Sequence, residues 1–316
     1  MTAELPEGFA VGHWTDLDGW TGCTVVLAPE EAVAACEVRG GGPGTRESDL
    51  LSPAAATPGV NAVVLTGGSA FGLVAADGVV QYLAERKVGF KTRAGIVPLV
   101  PAAVVFDLAL GDPDAHPDAD AGHAACTAAM STVERGSVGA GTGATVGKLL
   151  GPEAWTKGGL GFARVDAAQG FIVAAVAVVN AFGDVIAEDG SVLAGVWRDG
   201  GYVRSVELLR EGVSPLRPWR ESTTLVCVLT DASLTKTQAW LVARAAGAGV
   251  ARAVDPSATA VDGDVVYCLA SAAVDADPLA VSALAAHAAA SAIRDAVREA
   301  TTAPGCPSAR ERVATT

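Results

Sequence analysis

Basic residues are scarce in this 316-residue chain. Lys and Arg total 22 against 35 Asp and Glu, a formal net charge of −13. Such a chain is repelled by phosphate backbones and by anionic lipid surfaces, so neither nucleic acid nor membrane is expected as a partner. Long apolar runs are missing as well. The longest, Phe171–Val179, has nine residues, against about 20 for a spanning helix, although the mean hydropathy is +0.37. Only four histidines are present, which leaves a Ser-His-Asp hydrolase short of a base. The six cysteines form no C-x-x-C pair and read as small buried fillers with no disulfide or metal role. His116 lies within the acidic stretch Asp112–Asp120 and His123 just after it, without any ligand spacing, so no metal is expected. The opening Met1-Thr-Ala-Glu-Leu-Pro-Glu has no basic and then apolar stretch, so no signal peptide is read and a cytoplasmic location is expected.

What is present is a core-forming chain, 50% apolar and only 18% charged. Its length allows one large domain or two small ones. Strands are expected at Gly22–Leu27, Val33–Val38, Asn61–Thr66, Thr223–Thr230 and Asp264–Ala270. Leu160–Val165 and Gly170–Asn180 read as an antiparallel hairpin of long strands. Helices are expected over Ala70–Glu85, with Ser69 as its cap, and over Lys236–Ala253 and Leu279–Ala300. Val97–Leu108 reads as a buried strand-like segment, and Arg198–Ser222, with Pro215 and Pro218, as a polar linker. Strands arriving in pairs between helices favour stacked sheets covered by helices over a doubly wound parallel sheet.

Two glycine-rich motifs fail on inspection. Gly136–Gly147 ends at Lys148, but Thr142 stands where a P-loop needs glycine and Leu149 where it needs a hydroxyl. The G-x-G-x-x-G pattern fails at Ala144 and at Val146. Gly67-Gly68-Ser69-Ala70-Phe71 misses the nucleophile elbow G-x-S-x-G by its last residue.

Four blocks together carry a resemblance: NAVVLTGGSAFGL at 61–73, GAGTGATVGK at 139–148, VVNAFGDV at 178–185, and STTLVCVLTDASLTKTQ at 222–238 followed by VDGD at 261–264. They resemble the self-processing N-terminal-nucleophile hydrolases of the DmpA/BapA aminopeptidase type and the NylC-type 6-aminohexanoate-oligomer hydrolases. The Thr-Thr start and the Asp-Gly-Asp pair are nearer the NylC-type branch. The resemblance implies an α/β fold, an αββα four-layer sandwich. It implies one domain over 1–316 that cuts itself between Ser222 and Thr223 into 1–222 and 223–316. It also implies a homo-oligomer, a tetramer of cleaved pairs, acting on a small amide or peptide without a cofactor.

On that resemblance Thr223 is the nucleophile, activated after the cut by its own α-amine. Lys148, at the end of the glycine block, is the helper in processing. Asn180 donates to the oxyanion, and Asp262 and Asp264 orient Thr223. Gly68, Ser69 and Phe106 are candidates for the substrate pocket. Two positions depart from the family pattern. Ser222 stands where an asparagine usually precedes the nucleophile, and Phe106 stands where NylC-type enzymes carry a tyrosine. Three functions are weighed: a linear-amide or nylon-oligomer hydrolase, an aminopeptidase or D-esterase on short peptides and amides, and an uncleaved family member that only binds a small molecule.

Overall fold

Side-chain alternation along the apolar strands sorts the core into three layers. In the strand Thr223–Ala232, Leu225, Cys227 and Leu229 meet residues of a second sheet, while Val226 and Val228 face helices. Ile172–Asn180 divides the same way, with Ala174, Val176 and Val178 between the sheets. In Ala62–Thr66, Val63 and Leu65 take the inner layer, and Ala62 and Val64 pack under the outer helices. The molecule, described by a computed structural model over residues 4–30, 32–214 and 221–314, is therefore an αββα sandwich.

The first sheet runs, in spatial order, Ala10–Asp16, Thr21–Leu27, Ala62–Thr66, Ala102–Val104 and Thr45–Arg46. Helices Ala75–Glu85 and Ala119–Thr127 cover its outer face. The second sheet runs Gly159–Asp166, Ile172–Asn180, Thr223–Ala232, Val265–Val274 and Val33–Val38. It is covered by helices Lys236–Ala253 and Pro278–Glu299. Thr235 and Gln238 start the first of these with a reciprocal capping box, and Asp277 with Pro278 starts the second. All six cysteines are buried.

Several local expectations are corrected. The segment after Gly68 opens as a 3-10 turn, Ser69–Val74, and the α-helix begins only at Ala75. Ser69 makes no cap; it is the first residue of that turn, at φ +51°. Val97–Leu108 is not one strand: Val97 ends the short strand Gly95–Val97 and Ala102–Val104 is another, because Pro98 and Pro101 between them have no N–H for a ladder. The acidic stretch ends in a helix, Ala119–Thr127, whose cap Asp118 accepts the Ala121 N–H. The expected linker is partly structured: Trp197–Arg198 pairs with Gly201–Tyr202, and Ser205–Arg210 is helical. The buried Asp184 carboxylate accepts the Ser205 N–H and hydroxyl and fixes that helix start. Pro215 and Pro218 lie outside the described residues.

Candidate active site

Thr223 begins the central strand of the second sheet, and Asn180 ends its antiparallel neighbour. The two are register partners, so their side chains share a face. That face is the inter-sheet one, on the alternation of Leu225 and Val178. The next strand runs parallel to Thr223–Ala232 and is led in by Asp262-Gly263-Asp264. Ser222 bridges Asp262, and the Gly263 N–H donates to the Ser222 carbonyl at 2.7 Å. The Thr223 hydroxyl lies 2.6 Å from that same oxygen. Gly263 has to be glycine here, since a Cβ would stand 2.7 Å from Thr223 Oγ1.

Lys148 reaches this end of the sheet from the glycine block. Gly147 takes φ +72°, and a Cβ there would collide with the Gly195 backbone. The N–H groups of Gly147 and Lys148 dock on the carbonyls of Gly183 and Phe182, just past Asn180. The Lys148 ammonium then donates to Asn180 Oδ1 at 2.9 Å and to the Glu221 carbonyl at 2.7 Å. Burial lowers its pKa to about 7, against the raising effect of Asp262, Glu221 and Asp107.

The orientation of the Asn180 amide follows from its partners. Oδ1 accepts from Lys148 Nζ and from the Thr145 N–H, both pure donors. Nδ2 therefore faces the Phe106 carbonyl at 2.9 Å and the Glu221 carbonyl at 3.4 Å. Two successive carbonyls of the chain thus enter two separate donor sets. Ser222 meets the Gly263 N–H, and Glu221 meets Lys148 and Asn180.

Asp262 and Asp264 are buried beside this junction, but their bonds go to its frame. Asp264 accepts the N–H groups of Thr224 at 2.6 Å and Ala258 at 2.9 Å. Asp262 accepts the Thr259 hydroxyl at 2.6 Å and the N–H groups of Thr259 and Phe182. Burial, then the neighbouring Asp262 charge, raises the Asp264 pKa to about 7.

Phe106 is half-buried and lines a narrow cavity of about 10 Å³ with Lys148, Trp155, Thr145 and Glu221. Gly68 and Ser69 stand behind Asp107: Gly68 donates to its carboxylate at 2.6 Å, and Ser69 donates to the Val105 carbonyl. Larger cavities of about 360 and 250 Å³ lie elsewhere, around Phe90 and around His287. Neither is lined by Thr223, Lys148 or Asn180, so size does not select the site here.

Three site residues escape the sequence reading. Asp107 lies buried on the cavity wall, held by Gly68 and by the Thr21 hydroxyl at 2.8 Å. Burial raises its pKa to about 6. A lone carboxylate in the apolar PAAVVFDL segment was the available signal. Trp155 places its ring centroid 5.8 Å from Lys148 Nζ, and its indole N–H is buried without a hydrogen-bond partner among the described residues. Lys157, in the sequence WTKGG, looks like a turn lysine and yet is fully buried.

The model of peptidase family S58 matches residues 7–309. The chain belongs to peptidase family S58. It is 41% identical to an uncharacterized aminopeptidase of Mycobacterium leprae, over 85% of this chain and 78% of that protein. It is 28% identical to a 6-aminohexanoate-oligomer endohydrolase of Paenarthrobacter ureafaciens, over 85% of this chain and 74% of the relative. The solved structure of an L-aminopeptidase D-Ala-esterase/amidase from Ochrobactrum anthropi, an Ntn-hydrolase-fold variant, superposes with a TM-score of 0.73 at 19% identity. It covers 100% of this chain and 94% of the other. The sandwich is thus the Ntn-hydrolase type that the four sequence blocks imply, and the family member is an amidohydrolase. Among the described residues no helix is long and apolar enough to cross a membrane.

Proposed function

We propose that this S58 member cuts its own chain between Ser222 and Thr223 and then hydrolyses linear amides with Thr223 as N-terminal nucleophile. One observation carries the reading: the Ser222 carbonyl accepts the Gly263 N–H at 2.7 Å while the Thr223 hydroxyl lies 2.6 Å from the same oxygen. In processing, Oγ1 adds to the Ser222 carbonyl carbon as its proton leaves toward Lys148, directly or through water. Gly263 N–H stabilises the charge that builds on the Ser222 oxygen. The C–N bond then breaks, the nitrogen takes up a proton, and Ser222 is left as an ester on Oγ1. That cleavage frees the Thr223 α-amine, and water then hydrolyses the ester, releasing the Ser222 carboxylate and restoring the Thr223 hydroxyl.

The same hydroxyl then attacks a substrate amide, with the new α-amine as base. An unperturbed α-amine has a pKa of about 7.7–8, so a useful fraction is neutral near pH 7. When the freed end at Glu221–Ser222 moves away, Lys148 and Asn180 lose the Glu221 carbonyl, and these donors take the substrate carbonyl in its place. In the uncut chain the space between Phe106, Trp155 and Lys148 is only about 10 Å³, room for one water at most, so the acyl site opens only when the Glu221 end moves away, and an unbranched acyl chain is the substrate proposed. Short peptides and ω-amino-acid oligomers both fit this description. Association into tetramers of cleaved pairs is proposed with the reading.

Intact mass under denaturing conditions tests the first half. The expected result is two chains, 1–222 and 223–316, and for Thr223→Ala a single folded chain without amidase activity. Processing of Thr223→Ala at the same bond overturns the nucleophile. A wild-type chain that stays whole and hydrolyses nothing makes the protein a binding scaffold instead. Turnover of aminoacyl p-nitroanilides and of end-capped 6-aminohexanoate oligomers tests the second half. A strict need for a free amine on the substrate marks an aminopeptidase, and internal cuts in capped oligomers mark an oligomer hydrolase.

A further inference from the structure

Lys157 takes no part in the chemistry above, yet its ammonium is buried completely. It lies in a two-residue strand, Thr156–Lys157, paired with Thr145–Val146. Its three N–H groups go to three main-chain carbonyls: Gly141 at 3.0 Å, Ala144 at 2.9 Å and Gly158 at 3.0 Å. Its hydrogen-bond acceptors carry no formal charge, and burial lowers its pKa to about 8. Burying an ammonium this way is costly. A methionine would fill the same space without that cost, so the bonds rather than the volume explain the lysine.

All three carbonyls belong to the glycine block or to the residue after Lys157. The decisive one is Ala144. Its carbonyl and the Thr145 N–H are the two ends of one rigid peptide plane. One end accepts from Lys157 Nζ and from the Gly158 N–H at 2.8 Å. The other donates to Asn180 Oδ1 at 3.0 Å. Hydrogen bonds in series through such a plane polarise and align one another. The Thr145 bond is also one of the two that turn Asn180 Nδ2 toward the Glu221 carbonyl position.

We propose that Lys157 is a positioning residue: it clamps the Ala144–Thr145 peptide and thereby aims the Asn180 amide at the carbonyl that is attacked. This role rests on the reading of Asn180 as an oxyanion donor.

The test compares kcat and KM of Lys157→Met, Asn180→Ala and the double variant on the fastest aminoacyl p-nitroanilide, counted per processed chain. Lys157→Met is expected to lose about 10–100-fold in kcat, as a misaimed donor does, with KM nearly unchanged. In the Asn180→Ala background the same change is expected to cost less than about twofold, because independent effects would instead multiply. Lys157→Gln, which keeps a donor, is expected to fall between wild type and Lys157→Met, and it replaces Lys157→Met if that variant does not fold. Losses that multiply in the double variant overturn the role of Lys157 and leave Asn180 standing. Lys157 also loses the role if Asn180→Ala is impaired while Lys157→Met turns over like wild type. Full turnover by Asn180→Ala removes the site reading and this role with it.

Discussion

Lys148 and Lys157 are two buried lysines nine positions apart in sequence, both held below the usual lysine pKa by burial. Their partners separate them. Lys157 gives one N–H to each of three carbonyls. A neutral amine has only two N–H groups, so deprotonating Lys157 loses one of the three bonds by which it holds the glycine block. Lys148 has two acceptors, Asn180 Oδ1 and the Glu221 carbonyl, and both can be kept when it is neutral, with the lone pair left over. Acceptor count thus makes one lysine a fixed clamp and leaves the other free to lose and regain a proton, which is the property a general base needs.

Replacing each lysine by methionine should break the symmetry most widely. Lys148→Met is expected to slow processing by about 10²–10⁴-fold, the range for losing a general base. Lys157→Met should leave processing within about tenfold, since Gly263 rather than Asn180 holds the Ser222 oxygen, a geometric preorganisation it does not touch. Rates come from the decay of intact precursor by mass spectrometry. Equal slowing in both variants would mean that Lys148 is no more a base than Lys157.

The pH dependence separates them next. With a folded pKa of about 7, Lys148 predicts precursor decay that rises through pH 7 and flattens above it. A profile that falls over that interval would require the protonated lysine instead. For stability the sign is the same for both residues. A lysine whose pKa falls on folding binds fewer protons in the native state between that pKa and its unfolded value near 10.4. Its unfavourable contribution is complete below the folded pKa and fades as pH rises. For Lys157 the window opens near pH 8, so urea midpoints of wild type should gain on Lys157→Met between pH 8 and 10. A constant gap would place the Lys157 ammonium in water.

The sequence carried one of these lysines and hid the other for a local reason. Lys148 closes a glycine block, and the four-block resemblance drew attention to it. Lys157 sits in WTKGG, where nothing nearby reveals that Gly141 and Ala144 fold back onto it. The strands of Thr223 and Asn180 were legible, but not their shared face, because the pairing of Asn180 with Thr223 joins strands distant in sequence. The Gly263 N–H was not legible either, because a backbone donor has no side chain to read, and the aspartates flanking it drew the attention. Asp262 and Asp264 were expected to orient Thr223; in the uncut chain their bonds go to the frame around it, to Thr259, Phe182, Thr224 and Ala258. The segment 198–214 looked like linker because its anchor, Asp184, is distant in sequence.

The smallest expected effect lies on the Lys148 side alone. Phe106 lines the Lys148 cavity, and its carbonyl accepts Asn180 Nδ2 at 2.9 Å. Phe106→Tyr adds a phenol O–H to that half-buried ring, beside the position proposed for the substrate carbonyl. One added neutral hydrogen bond is worth about 0.5–1.5 kcal/mol, so turnover should rise by roughly two- to tenfold. Precursor decay should not change, because the Ser222 oxygen already has its donor in Gly263. A gain in both rates would mean that processing and turnover share one oxyanion site, and the separation of the Glu221 and Ser222 carbonyls would then have no catalytic meaning.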